Sequence, residues 1–82
     1  MKEKSMSNST TEQNIVELVS TIVKRPADGE SSAENMPEWD SLAQMKIIIE
    51  LERAYEIEVE DEWIVKLNSI ASIVSYLQQR AS

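Results

Sequence analysis

Neither cysteine nor histidine occurs anywhere in the sequence. Without cysteine there is no disulfide framework and no thiolate metal site. Without histidine the commonest general base and zinc ligand are missing, and with them every Ser-His or Cys-His nucleophile pair. Glycine appears once and proline twice, so a helical chain is the natural reading. No apolar run approaches the roughly 20 residues of a membrane span, and membrane insertion is not expected. Lys and Arg number 8 against 15 Asp and Glu, a formal net charge of −7. That balance disfavours nucleic-acid binding, which needs a basic face. The opening M-K-E-K-S-M-S-N-S carries lysines with no apolar block behind them, unlike a secretory signal, and a cytoplasmic protein is expected.

At 82 residues the chain fits one small domain. A domain of this size buries only roughly 60% of its unfolded surface, which leaves little wall for a substrate pocket. A non-catalytic role is expected. Between Asp28 and Glu62 nearly every charge is negative, relieved only by Lys46 and Arg53. Such a run is a solvated surface or a field that steers basic partners.

Residues 1–8 are polar, Ser-rich and aperiodic, and are expected to form a disordered tail ahead of a domain over 9–80. Ser9 and Glu12 have the spacing of a capping box. Ile15, Leu18, Val19, Ile22 and Val23 then recur on one helical face, which predicts a first helix over about 10–24, closed by Lys24 and Arg25 at its negative end. From Pro26 to Asp40 no period is visible. So long a connection is functional or disordered, and Met36 and Trp39 are expected to pin its end to the core. A second helix is expected from Asp40 or Ser41 to about Tyr55, and a short third one from Glu60 or Asp61 to about Leu67. Asn68-Ser69 would cap a fourth, with Ile70, Ile73, Val74 and Leu77 buried. The fold class is therefore all-α: a four-helix bundle with a long first loop and a short third helix.

The second helix has two apolar faces. At 100° per residue, Gln44, Ile47, Ile48, Leu51, Ala54 and Tyr55 share one arc, a sufficient core stripe. Leu42, Met45 and Ile49 form a separate line almost opposite, flanked by Lys46, Glu52, Arg53 and Glu56. If the first arc faces the bundle, the second faces water, and a charged rim around an apolar strip marks a docking surface. The alternative is that the tail or the long loop covers it. Asp40 and Ser41 are both good N-caps. A hydroxyl at a helix N-terminus is also a favourable place for a phosphate, and a group attached there would project beside the strip.

With Asp40-Ser41-Leu42, the helix order, the L-E-x-x-Y run from Leu51 to Tyr55 and the closing N-S-I-A-S-I-V-S-Y-L segment, the chain resembles the acyl carrier protein family over about Glu12 to Gln79. The resemblance implies that Ser41 receives 4′-phosphopantetheine from coenzyme A, added by a phosphopantetheinyl transferase that Asp40 helps engage. The arm's thiol would hold an acyl or aminoacyl group as a thioester, so a cysteine-free chain does thiol chemistry with an imported sulfur. Leu42, Met45, Ile49 and Glu52 would be read by partners: a ligase or transferase, then downstream biosynthetic enzymes. A monomer without metal is implied. The chain departs from the fatty-acid-synthesis pattern, with Ala43, Lys46 and Arg53 where acidic residues are usual and Trp39 where a small residue is common. It reads as a specialised carrier. Trp63 would line an acyl cavity with Ile64, Leu51 and Met45, or simply be core. Trp39 would contact the arm or a partner, or anchor the loop. A rival reading from a different class is an acidic helical adaptor that binds through Leu42, Met45 and Ile49 and carries no prosthetic group.

Overall fold

The computed structural model describes the backbone of residues 2–81 and the side chains of residues 11–80. Four helices follow one another: α1 (Lys2–Val23), α2 (Ser41–Tyr55), α3 (Asp61–Ile64) and α4 (Ile70–Ala81). Helix α1 packs against both α2 and α4, and α3 packs against α2. Among the described residues the only β pairing is an isolated bridge, Ser32 with Ser69. The bundle expected from the periodicity is the bundle observed.

Helix α1 opens at Lys2, ahead of the start near residue 10 that the capping signal predicts. Residues 2–10 contain neither proline nor glycine, so no backbone breaker stops a helix running through them. The side chain of Ser9, and with it the Ser9-to-Glu12 capping box, lies outside the described side chains. At the other end Lys24 takes a left-handed conformation (φ 59°) and the Arg25 N–H donates to the Ser20 carbonyl at 3.2 Å. This is a Schellman closure, with a lysine where glycine is usual. The Arg25 side chain does not cap the helix. It crosses the loop to Glu38, with contacts of 3.1 and 3.0 Å to the two carboxylate oxygens.

The core draws Ile15, Val19 and Val23 from α1, Ala43, Ile47, Ile48 and Leu51 from α2, and Ile70, Ile73, Tyr76 and Leu77 from α4. Met36 and Trp39 are buried with them, so the loop end is anchored as expected. Two expectations for α2 change. Ala54 is exposed and Tyr55 only half-buried, while Ala43 is buried. A helical wheel sorts residues by angle and not by height, and burial on α2 stops one turn before its end. Helix α3 is also shorter than expected, ending at Ile64. The Lys66 and Leu67 N–H groups both turn back to the Trp63 carbonyl, at 3.1 and 3.0 Å.

The long loop is held by its own polar groups. Asp28 Oδ1 accepts from the Glu30 N–H, and Ser31 Oγ accepts from the Asp28 N–H, each at 2.9 Å. The Asn35 side chain accepts from the Ser32 N–H at 3.0 Å and donates to the Glu30 carbonyl at 3.1 Å. Two backbone bonds then tie the loop to the α3–α4 link: Ala33 N–H to the Asn68 carbonyl at 2.9 Å, and Ile70 N–H to the Ser31 carbonyl at 3.0 Å. Here Ser69 and Ser72 cap α4 reciprocally, the Ser72 N–H donating to Ser69 Oγ at 3.0 Å and the Ser69 N–H to Ser72 Oγ at 3.2 Å. The loop therefore ends beside α3 at a fixed place, which positions the start of α2.

Candidate functional site

Asp40 is the N-cap of α2. It is extended (φ −95°, ψ −170°) and its carboxylate accepts the Ala43 N–H at 2.9 Å, which satisfies one of the helix's orphan amides. Ser41 follows as the first helical residue and is exposed. Its hydroxyl therefore stands in solvent at the positive end of α2.

Trp39 precedes this pair and is only 3% exposed. A buried indole N–H needs an acceptor, and Gln44 supplies one: Trp39 Nε1 donates to Gln44 Oε1 at 2.6 Å. The amide nitrogen of Gln44 donates in turn to the carbonyls of Ile64 (2.5 Å) and Leu67 (2.9 Å). Both amide hydrogens and the amide oxygen are thus engaged. Ile64 is the last residue of α3, where helix carbonyls lack intrahelical partners, and Leu67 lies in the segment that follows it. A four-residue helix has little stability of its own, and Gln44 holds this one to α2. Among the described residues, no buried side-chain nitrogen or oxygen lacks a partner.

Between the start of α2 and the end of α3 lies an open cleft of about 450 Å³, lined among others by Trp39, Ser41, Met45, Ile64 and Val65. That volume falls within the roughly 300–1,000 Å³ of small-molecule sites. The cleft continues onto an apolar strip in which Leu42, Met45 and Ile49 are 66%, 44% and 49% exposed. The loop does not cover them. Val65, the residue after α3, is 72% exposed and extends the strip.

Leu42, Met45 and Ile49 are all exposed along α2, as their spacing predicts, and Asp40 and Ser41 stand at the head of the same helix. Glu52 acts locally, its Oε2 accepting the Val59 N–H at 2.9 Å and so fixing the turn after α2. Trp63 is half-buried and packs on Tyr76, ring centroids 5.0 Å apart, with the Lys66 ammonium 5.1 Å from its ring centre. It contributes to the bundle and not to the cleft. Trp39 is the loop anchor and lines the cleft as well. Gln44's bonding and Val65 escaped the sequence. The one signal for Gln44 is a polar side chain at a core-stripe position; for Val65, an apolar residue just after a one-turn helix gives none.

Glu38, two residues before Asp40, keeps its carboxyl below the usual range, first because its own backbone N–H donates to it; burial opposes this, and the Arg25 hydrogen bond and charge lower it further. No helix among the described residues is long and apolar enough to cross a membrane.

A family model described as "Phosphopantetheine attachment site" matches residues 13–77. Two acyl carrier proteins of Rickettsia bellii, from strains OSU 85-389 and RML369-C, are each 33% identical over 43 residues, which is 52% of this chain. The chain spans about half the length of these curated relatives, 53% and 50% respectively. No solved structure matches. An exposed hydroxyl at the head of a helix, beside an apolar cleft, suits the prosthetic group that this family bears. With the match covering most of its length, the chain belongs to the acyl carrier protein family, whose members carry 4′-phosphopantetheine.

Proposed function

We propose that Ser41 is the attachment residue, joined through its Oγ to 4′-phosphopantetheine by a phosphodiester, and that the protein is a carrier and not a catalyst. The observation that carries this is the exposed Ser41 hydroxyl, set by the Asp40 cap at the edge of the cleft in a chain of this family. When bound, the arm supplies a thiol that holds an acyl or aminoacyl group as a thioester for delivery. Everything else falls to the chain. Asp40 fixes the first turn, so that Ser41 is presented to the transferase at one angle. The first-turn amides and the helix dipole favour the attached phosphate. Leu42, Met45 and Ile49 give successive enzymes an apolar landing, with Glu52 at its edge.

The pathway is a specialised one. Lys46 and Arg53 flank the strip with positive charge inside an otherwise acidic stretch, and charge at the rim of an interface selects partners more than it adds affinity. The partners are therefore the transferase, a dedicated acyl or aminoacyl ligase or transferase, and the enzymes downstream. The carrier unit is residues 9–80, acting as a monomer in the cytoplasm.

The test is intact-mass analysis after incubation with coenzyme A and a broad-specificity phosphopantetheinyl transferase. One phosphopantetheine should be added, and Ser41→Ala should abolish the addition with helicity retained. An unmodified mass, under conditions that convert a control carrier, refutes this reading and leaves the exposed strip as the working surface of an adaptor. Met45→Glu should slow transfer to partner enzymes without changing helicity; unchanged transfer by the native enzymes removes the strip from the docking face.

A further inference from the structure

The cleft beside Ser41 and the bundle core meet along the seam between α2 and α3, and Gln44 sits on that seam. On its cleft side are Ser41, Met45 and Val65. On its core side are Ile47, one turn along α2, and Leu67, whose carbonyl it holds; both are fully buried. Gln44 spends its amide hydrogens on the last residue of α3 and on Leu67 just beyond it, and its oxygen on Trp39. Trp39 in turn has a single donor, its indole N–H, and this is committed to Gln44. A chain passing from Ser41 into the core along this seam must displace one of the two side chains. Displacement would strand an indole N–H and two backbone carbonyls that nothing apolar can satisfy. Beyond the seam lies the apolar core of Ile47, Leu51, Leu67 and Ile73, each 0% exposed.

We propose that Gln44 and Trp39 form a latch that closes the α2–α3 seam, so that whatever Ser41 carries stays outside the bundle. Cargo lies in the surface cleft over Trp39, Met45, Ile64 and Val65 and does not thread into the core. This rests on the reading of Ser41 as the attachment residue and deepens it. The matching cargo class is a compact acyl or aminoacyl group that tolerates water, not a long alkyl chain needing shelter. Gln44 is thus a positioning residue, acting on the cargo by closing a route.

Two arms test the latch. In the unloaded protein, NMR should show the Trp39 indole N–H and the Gln44 side-chain amide protected from solvent exchange. Gln44→Met, which removes the acceptor of the indole N–H, should speed exchange of the Trp39 indole. Exchange of the wild-type indole as fast as that of free tryptophan overturns the latch without any reference to loading. In the second arm, acetyl- and dodecanoyl-phosphopantetheine are installed and the loading is verified by intact mass. Methyl resonances of Ile47, Leu51 and Ile73, and the melting temperature, should not differ between the two cargoes in the wild type. In Gln44→Ala, or in Trp39→Phe if that variant does not fold, dodecanoyl should shift those methyls and raise the melting temperature. Core shifts in the dodecanoyl-loaded wild type overturn the proposal, and so does an unlatched variant indistinguishable from wild type. Failure of Ser41 to load removes the carrier reading instead, and the exchange arm still decides whether the seam is closed.

Discussion

Replacing Gln44 by methionine isolates the polar bonds at the α2–α3 seam, because methionine is similar in length and flexibility but offers neither donor nor useful acceptor. Three hydrogen bonds disappear: from the Trp39 indole, to the Ile64 carbonyl and to the Leu67 carbonyl. At about 0.5–1.5 kcal/mol net each, the full loss spans about 1.5–4.5 kcal/mol. Gln44 is half-buried against an open cleft, so water re-satisfies part of what is lost and the lower half of that range applies, about 2 kcal/mol. A chain of 82 residues has a total stability of roughly 4–12 kcal/mol, so the change is a large share. It corresponds to a drop in melting temperature of about 8–16 °C. Urea unfolding followed by far-UV circular dichroism and by tryptophan fluorescence measures it, and the midpoint should fall with the slope unchanged. Gln44→Glu sharpens the test, since it sets a carboxylate against two carbonyl oxygens. Facing those oxygens, the protonated form should be favoured in the folded state, and the variant should recover stability, relative to wild type, as pH falls. A Gln44→Met midpoint indistinguishable from wild type would refute the argument that these bonds hold α3 in place.

Glu56 is left-handed (φ 54°) where α2 closes, with the Ile57 N–H donating to the Glu52 carbonyl at 3.2 Å. Glu56→Gly should relieve the steric cost of that conformation and raise stability by about 1 kcal/mol, read as a higher melting temperature; a lower one means that the side chain matters more than the backbone. Leu51→Ala, at a fully buried position, should cost about 2–5 kcal/mol, whereas Leu42→Ala on the exposed strip should change denaturation midpoints little. The lowered pKa of Glu38 means that the folded state favours its carboxylate. Its contribution is complete above the unfolded value of about 4.3 and fades as pH falls through the lower folded value. An NMR titration of Glu38 should find the depressed midpoint, reduced in part by Arg25→Ala; an ordinary midpoint in the wild type removes the effect.

Periodicity identified the three longer helices because a 3.6-residue apolar repeat needs only local chain geometry to be read, and a cap signal at Glu60 or Asp61 marked the short one. Ile15, Val19, Ile47, Leu51, Ile70 and Ile73 are buried because each stripe has one way to face the others. Asp40-Ser41 marked a helix start for an equally local reason, since the cap bond spans three residues. The second apolar line on α2 was legible too, because a bundle this small cannot cover a helix all round. Helix ends were less so. Lys24 and Glu56 close their helices in the left-handed region without glycine, and residues 2–10 hold no breaker to announce a boundary. Only the folded chain decided the rest. Ala54 is exposed because burial on α2 stops a turn early, a matter of height that no angle reveals. Arg25 meets Glu38 thirteen positions on, and the Gln44 amide reaches carbonyls 20 and 23 residues away. Residues so far apart become neighbours through the packing of whole elements. The sequence determined which side chains would face inward and where a hydroxyl would stand. Tertiary packing decided which carbonyls Gln44 would hold, because hydrogen bonds between distant residues depend on the relative placement of helices, which no local pattern encodes.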